Sequence, residues 1–162
     1  MLRRVLLFDF VPERKDLGLV AMRLIVAVSI FLKHGYEKLF TYSATYAWLA
    51  RSHHYVSWLG VGPSLFYATL SDGILTVLLA FGFATRWCAL LSVINLAGAW
   101  SVLGFPYFGH QAGTDGELII IYIASLMLLF FIGGGRYSVD HLLERETAKG
   151  AQSNVPGVYA RG

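Results

Sequence analysis

Four chargeable side chains fall within six residues of the stretch FLKHGYEKLF: Lys33, His34, Glu37 and Lys38. An imidazole can exchange protons near neutral pH. A lysine and a carboxylate beside it can hold the polar head of a small molecule or relay those protons. The stretch closes an apolar run that begins near Leu17, and basic residues alone would suffice to anchor the edge of such a run. The histidine and glutamate therefore call for a further role. More charges lie inside other apolar runs: Arg23 within the first, Asp72 within the second and Glu117 at the start of the last.

Charged side chains within membrane spans are costly and face a bundle interior or a cavity. At about 100° per residue, Arg23 and His34 lie within about 20° of each other, with Glu37 about 40° to the other side. Arg23, Ala27, Ile30, His34 and Glu37 thus share a stripe that is expected to face other helices. We read a candidate polar cavity from these residues. His34, Glu37 and Lys38 form its outer rim, Asp72, Glu117 and His110 complete it, and Arg23 is its floor. Arg23 and Asp72 are expected at levels less than about 10 Å apart. The structural alternative is charge compensation, Arg23 with Asp72 and Glu37 with Lys33 or Lys38. Asn95 is expected to make a helix–helix hydrogen bond, and Thr69 and Thr76 give the Asp72 helix a polar face.

The elements that must position these residues follow from composition. Of 162 residues, 56% are hydrophobic and 14% charged, against about 25% charged in soluble domains. Mean hydropathy is +0.58. Apolar segments without two-residue alternation suggest an all-α integral membrane four-helix bundle, with spans at about 17–34, 64–84, 87–105 and 117–133. Residues 1–145 form the domain and 146–162 a polar tail expected to be disordered. The second and third segments should be joined tightly at Thr85-Arg86. The aromatic connection TYSATYAWLARSHHYVSWLG is expected to hold a short interfacial helix in the first outer loop, with His53 and His54 solvated. IGGGRY reads as a helix stop. MLRRVLLFDFVPERK reads as a cytoplasmic tail on the membrane surface. With that end inside, nine Lys and Arg residues fall inside and three (Lys33, Lys38 and Arg51) outside, which places both termini in the cytoplasm.

Several classes are excluded. The single cysteine, Cys88, allows neither a disulfide nor thiolate metal clusters within the chain. No histidine sits at mid-span to ligate haem, and no metal site is read. The small net charge of +3 gives no nucleic-acid signal. The partner implied is the lipid bilayer.

The ordered motifs resemble the DoxX family over about Leu17 to Leu143. They are MRLIVAVSIFLKHGYEKLF, DGILTVLLAFGFATRWCALL and GELIIIYIASLMLLFFIGGGRYSVDHLL. Arg23, then His34, Gly35 and Lys38, then Asp72, then Gly82, Thr85 and Arg86 follow the family pattern. Gly116 and Glu117 open its last helix, and Gly135, Arg136, Tyr137, Ser138 and Asp140 close it. Asp72 stands where the family more often has glutamate, and Gly134 where it often has proline. The resemblance implies a multi-pass inner-membrane protein, a subunit of a quinone-linked oxidoreductase rather than a catalyst on its own. It would take quinone as the cofactor and a redox protein as partner. The competing expectation is a solute-binding, transport or assembly protein without redox chemistry.

Overall fold

The computed structural model describes residues 15–104 and 116–153. Every regular element among them is helical. Helix α1 starts as Lys15–Ile30, widens into a π-helical turn at Phe31–Gly35 and continues as Tyr36–Phe40. Thr41, at φ −125°, ends it. Helix α2, Tyr42–Ser52, occupies the aromatic connection and stops at His53, whose φ of 56° is left-handed. Helix α3 runs through Val61–Thr69, a second π-helical turn at Leu70–Leu75, and Thr76–Phe81. Pro63 sits in its first turn, where a missing N–H costs nothing. Helices α4, Thr85–Val102, and α5, Gly116–Ile132, follow, and α6 is Val139–Ser153.

Sequence and structure differ at three boundaries. The first helix does not end at residue 34. It carries the whole charged cluster inside its last two turns, because the wide turn keeps the backbone bonded, with Tyr36 N–H donating to Phe31 C=O. The second and third segments part at Gly82, three residues before Thr85, because Gly82 (φ 71°) takes the left-handed cap that ends α3. Helix α6 runs to Ser153, well into the segment read as a tail, while 154–162 lie outside the described residues. Two expectations hold locally. Helix α5 stops at the glycine run, with Gly133 at φ 86°, and His53 and His54 are exposed.

Helices α1 (Asp16–Phe40) and α3 (Val61–Phe81) are long and apolar enough to cross a membrane, and α5 is a shorter apolar helix of 17 residues. Two charged residues are buried while large apolar side chains face outward. Arg23 and Asp72 are 2% and 3% exposed, whereas Ile25, Leu32 and Phe66 are 69%, 65% and 64% exposed. Exposed apolar surface on this scale marks contact with lipid or protein. Inside, Ile30, Leu65, Leu79, Leu126 and Leu129 are fully covered.

Cross-helix contacts fix the directions. Arg23 of α1 approaches Gly82 and Gly134, and Lys38 meets Asp72. The Tyr122 hydroxyl of α5 donates to Ser29 at 3.0 Å, and the Tyr67 hydroxyl of α3 donates to Leu91 C=O of α4 at 2.8 Å. Helix α1 is therefore antiparallel to α3 and α5, while the three-residue turn 82–84 sends α4 back antiparallel to α3. One end of the molecule holds Arg23 and the α5–α6 turn. The other holds Lys38, Asp72 and α2.

Candidate functional site

Asp72 is held at the point where α1 and α3 cross most closely. Both helices are π-widened there. A Cβ on Gly35 would overlap the Asp72 carbonyl oxygen and lie 2.7 Å from its carbon, so only a glycine permits the approach. Across the contact, Leu39 covers Gly73. The Thr76 hydroxyl lies 2.6 and 2.8 Å from the Asp72 and Gly73 carbonyl oxygens and shares its single proton between these two acceptors at the widened turn. Single π-turns inside helices recur at functional sites.

Both carboxylate oxygens of Asp72 are engaged. Lys38 Nζ pairs with Oδ2, and Asn95 Nδ2 donates to Oδ1 at 2.8 Å. The Lys38 side chain keeps 23% of its surface exposed while that of Asp72 keeps 4%, so the pair joins the interior to the rim. His34, half-buried, lies one helical turn before Lys38 on α1. The assembly can hold a proton or accept and donate hydrogen bonds to a polar head group that reaches the rim.

The sequence-derived candidates divide accordingly. Lys38 and Asp72 come together, and His34 stands one turn before Lys38 on the same helix. Glu37 and Glu117 are exposed, and Lys38 pairs with Asp72 rather than with Glu37. His110 lies outside the described residues. Arg23 does not meet Asp72, which corrects both readings of that arginine. It sits at the level of Gly82, about 15 Å along α3 from Asp72. The cause is antiparallel register: with Gly35 against Asp72, a residue twelve positions earlier on α1 must fall near the far end of α3. Asn95 makes the helix–helix bond expected of it, but as a direct partner of the acid, which the sequence reading missed. Two glycines in facing apolar runs, HG and DG, were the available signal for the close crossing, because small residues let helix backbones approach.

Arg23 instead ties together the other end. Its guanidinium donates from Nη1 to Gly134 C=O at 2.6 Å and from Nη2 to Tyr137 C=O at 3.1 Å. Asp140 accepts the backbone N–H groups of Ala84 at 2.6 Å and Thr85 at 2.8 Å, and its own N–H donates to Gly82 C=O at 3.0 Å. Ala84 has φ 47°, a strained conformation for a residue with a Cβ. Asp140 holds it there and caps α4. Asp140→Ala is expected to lower stability by about 2 kcal/mol, read as a lower thermal unfolding midpoint in detergent; Asp140→Asn, which keeps one acceptor, should lose less.

A family model described as DoxX matches residues 18–110, more than half of the chain. The chain belongs to the DoxX family. It is a DoxX-family membrane protein whose matched region contains Arg23, His34, Gly35, Lys38, Asp72, Gly82 and Arg86. The glycine-rich ending of α5 and helix α6 lie beyond the match, and they bond to matched residues through Arg23–Gly134 and through Asp140 with Ala84 and Thr85. No curated protein and no solved structure gave a significant match to the chain. Among the described residues, no group of three or more His, Cys, Asp or Glu side chains is placed to hold a metal ion.

Proposed function

We propose that this DoxX protein is the membrane subunit of a quinone-linked oxidoreductase complex. It would sit in the cell inner membrane as a bundle of four spans, α1, α3, α4 and α5, with both termini cytoplasmic and α2 lying at the outer interface. Helices of 17–18 residues reach about 26 Å, close to the thickness of a bilayer core. The observation that carries the functional reading is the buried Lys38–Asp72–Asn95 assembly with His34 beside it, set in an apolar shell and open at the rim through Lys38. A quinone carbonyl there would accept hydrogen bonds from Lys38 or His34, and reduction to the quinol would draw two protons from the same groups. The two electrons come from a partner redox protein.

The test is quinone retained after purification in mild detergent, extracted and quantified chromatographically. Wild type should carry it, and Asp72→Asn and His34→Ala should each retain at least tenfold less while eluting as folded protein. Wild-type protein without quinone, together with unchanged binding of added quinone in both variants, would overturn the reading. The weight would then move to solute binding or assembly.

A further inference from the structure

The end of the molecule that holds Arg23 carries a second polar feature, separate from the Asp72 assembly. A groove of about 600 Å³ lies between α6 and the start of α4, with Arg86, Trp87, Ile132, Asp140, His141 and Glu144 among its lining residues. That is the size of a small-molecule cleft. Arg86 and Trp87 come from the first turn of α4, Ile132 ends α5, and the other three belong to the first two turns of α6. His141 and Glu144 are three residues apart and share a face of that helix. Gly133 lets Arg86 lie close over the end of α5: Arg86 Nε is 3.4 Å from the place a Cβ on Gly133 would occupy.

Asp140 is committed to the fold, because both its oxygens accept N–H groups at the start of α4. The other charged groups are free. Among the described residues, the Arg86 guanidinium, the His141 imidazole and the Glu144 carboxylate have no hydrogen-bond or ion-pair partner. Arg86 and Glu144 line the same groove without pairing with each other. An unpaired cation and an unpaired anion in one cleft match a ligand that carries both signs. A purely anionic ligand would have one guanidinium in its favour and Glu144 and Asp140 against it. A purely cationic one would meet Arg86.

The groove also lies where the long apolar helices end. The apolar span of α1 begins at Asp16, whose carboxylate accepts the Arg136 N–H at 3.3 Å. That of α3 ends at Phe81, next to Gly82, whose C=O accepts the Asp140 N–H at 3.0 Å. The turn before α6 is thereby fixed at headgroup level. Trp87 and Ile132 are 68% and 54% exposed, and an indole is favoured at that level. Exposed apolar walls beside a polar cleft suit the glycerol and first acyl carbons of a lipid better than a soluble ligand.

From this arrangement we infer that the groove binds the headgroup of a zwitterionic aminophospholipid, with the chemistry of phosphatidylethanolamine. The phosphate oxygens accept hydrogen bonds from the Arg86 guanidinium and from a His141 N–H, which the imidazole carries in either charge state. The primary ammonium donates to Glu144. The acyl chains leave over Trp87 and Ile132 into the bilayer. A bound headgroup bridges α4 and α6 and adds a second tie to the one Asp140 makes. The site requires no quinone chemistry.

Native mass spectrometry of delipidated protein in detergent tests it, with phosphatidylethanolamine, phosphatidylcholine and phosphatidylglycerol of identical acyl chains titrated in. Wild type should bind the ethanolamine lipid about tenfold more tightly than either of the others, since only that head offers both a phosphate and hydrogen-bonding ammonium protons. Arg86→Gln should weaken its binding about tenfold. Glu144→Gln should bring the ethanolamine and choline lipids to equal affinity. Both positions are exposed and free of protein partners, so both variants should elute as folded protein. Arg145→Gln, on α6 but outside the groove, should keep the wild-type preference. Equal binding of all three lipids by wild type would mark ordinary annular contact and overturn the site. A preference for the glycerol lipid would overturn the ammonium's role, and an ethanolamine preference that survives both groove variants would place the lipid elsewhere. Glycerophosphoethanolamine without acyl chains should bind far more weakly; affinity equal to the lipid's would make the ligand a soluble phosphoamine and overturn the lipid assignment. No quinone enters the measurement, so its outcome is read separately from quinone binding.

Discussion

Replacing Lys38 with methionine is expected to destabilise the fold by about 3–5 kcal/mol, the cost of leaving a buried carboxylate without its counter-charge. Asp72 is held between two helices and cannot turn outward, because its own backbone is pinned against Gly35. Asn95 would remain as a neutral donor to one oxygen. The reverse change, Asp72→Asn, should cost less. It keeps an acceptor for Asn95, and the freed ammonium is already partly exposed and can extend toward the rim on its flexible stem. The double variant Lys38→Met/Asp72→Asn should therefore recover most of the stability lost in Lys38→Met. Thermal unfolding in detergent, followed by tryptophan fluorescence and by recovery of the folded elution peak, ranks the four proteins. A Lys38→Met protein as stable as wild type would show that the carboxylate is not committed to this pair.

Much of this geometry is legible in the sequence. Apolar runs, an aromatic connection and glycine stops place α2 to α5 to within a few residues, since those signals are local, while the end of α1 and the whole of α6 escape them. The family motifs select residues that the structure uses, including Arg23, Gly35, Lys38, Asp72, Thr85, Ser138 and Asp140. What fails is pairing. Arg23 and Asp72 are the two charges most deeply set in apolar segments, and opposite sign invites joining them. Their actual partners depend on the register of α1 against α3, which the Gly35–Asp72 contact sets and no local pattern reports. Arg23 then finds backbone carbonyls of the α5–α6 turn, acceptors that carry no side-chain signature. The π-turns are equally silent: FLKHG and LSDGIL read as ordinary helix, and the widening is visible only in the backbone bonds. Exposure of Glu37 and Glu117 has the same origin, since a helix face can be computed from spacing but its neighbour cannot.

That dependence on one contact makes the glycines of the helices unequal, and a graded series tests the account. A Cβ on Gly35 would meet backbone, the Asp72 carbonyl, which cannot move without displacing α3. Gly35→Ala should therefore cost about 3 kcal/mol, at the upper end of ordinary overpacking. The separation would also draw Lys38 away from Asp72, so quinone retention should fall along with the unfolding midpoint. Gly73→Ala would meet the end of the Leu39 side chain at 2.8 Å, which can rotate aside, and its cost should be intermediate. Gly18 and Gly98 have nothing within 4 Å of an added Cβ. Alanine at either should be neutral or stabilising by up to about 1 kcal/mol through helix propensity. Unfolding midpoints in the order Gly98→Ala, Gly73→Ala, Gly35→Ala, highest first, would identify the crossing as the element that sets register. A Gly35→Ala protein matching Gly98→Ala would mean that α1 and α3 approach less closely than this, and the Lys38–Asp72 pairing would lose its structural basis.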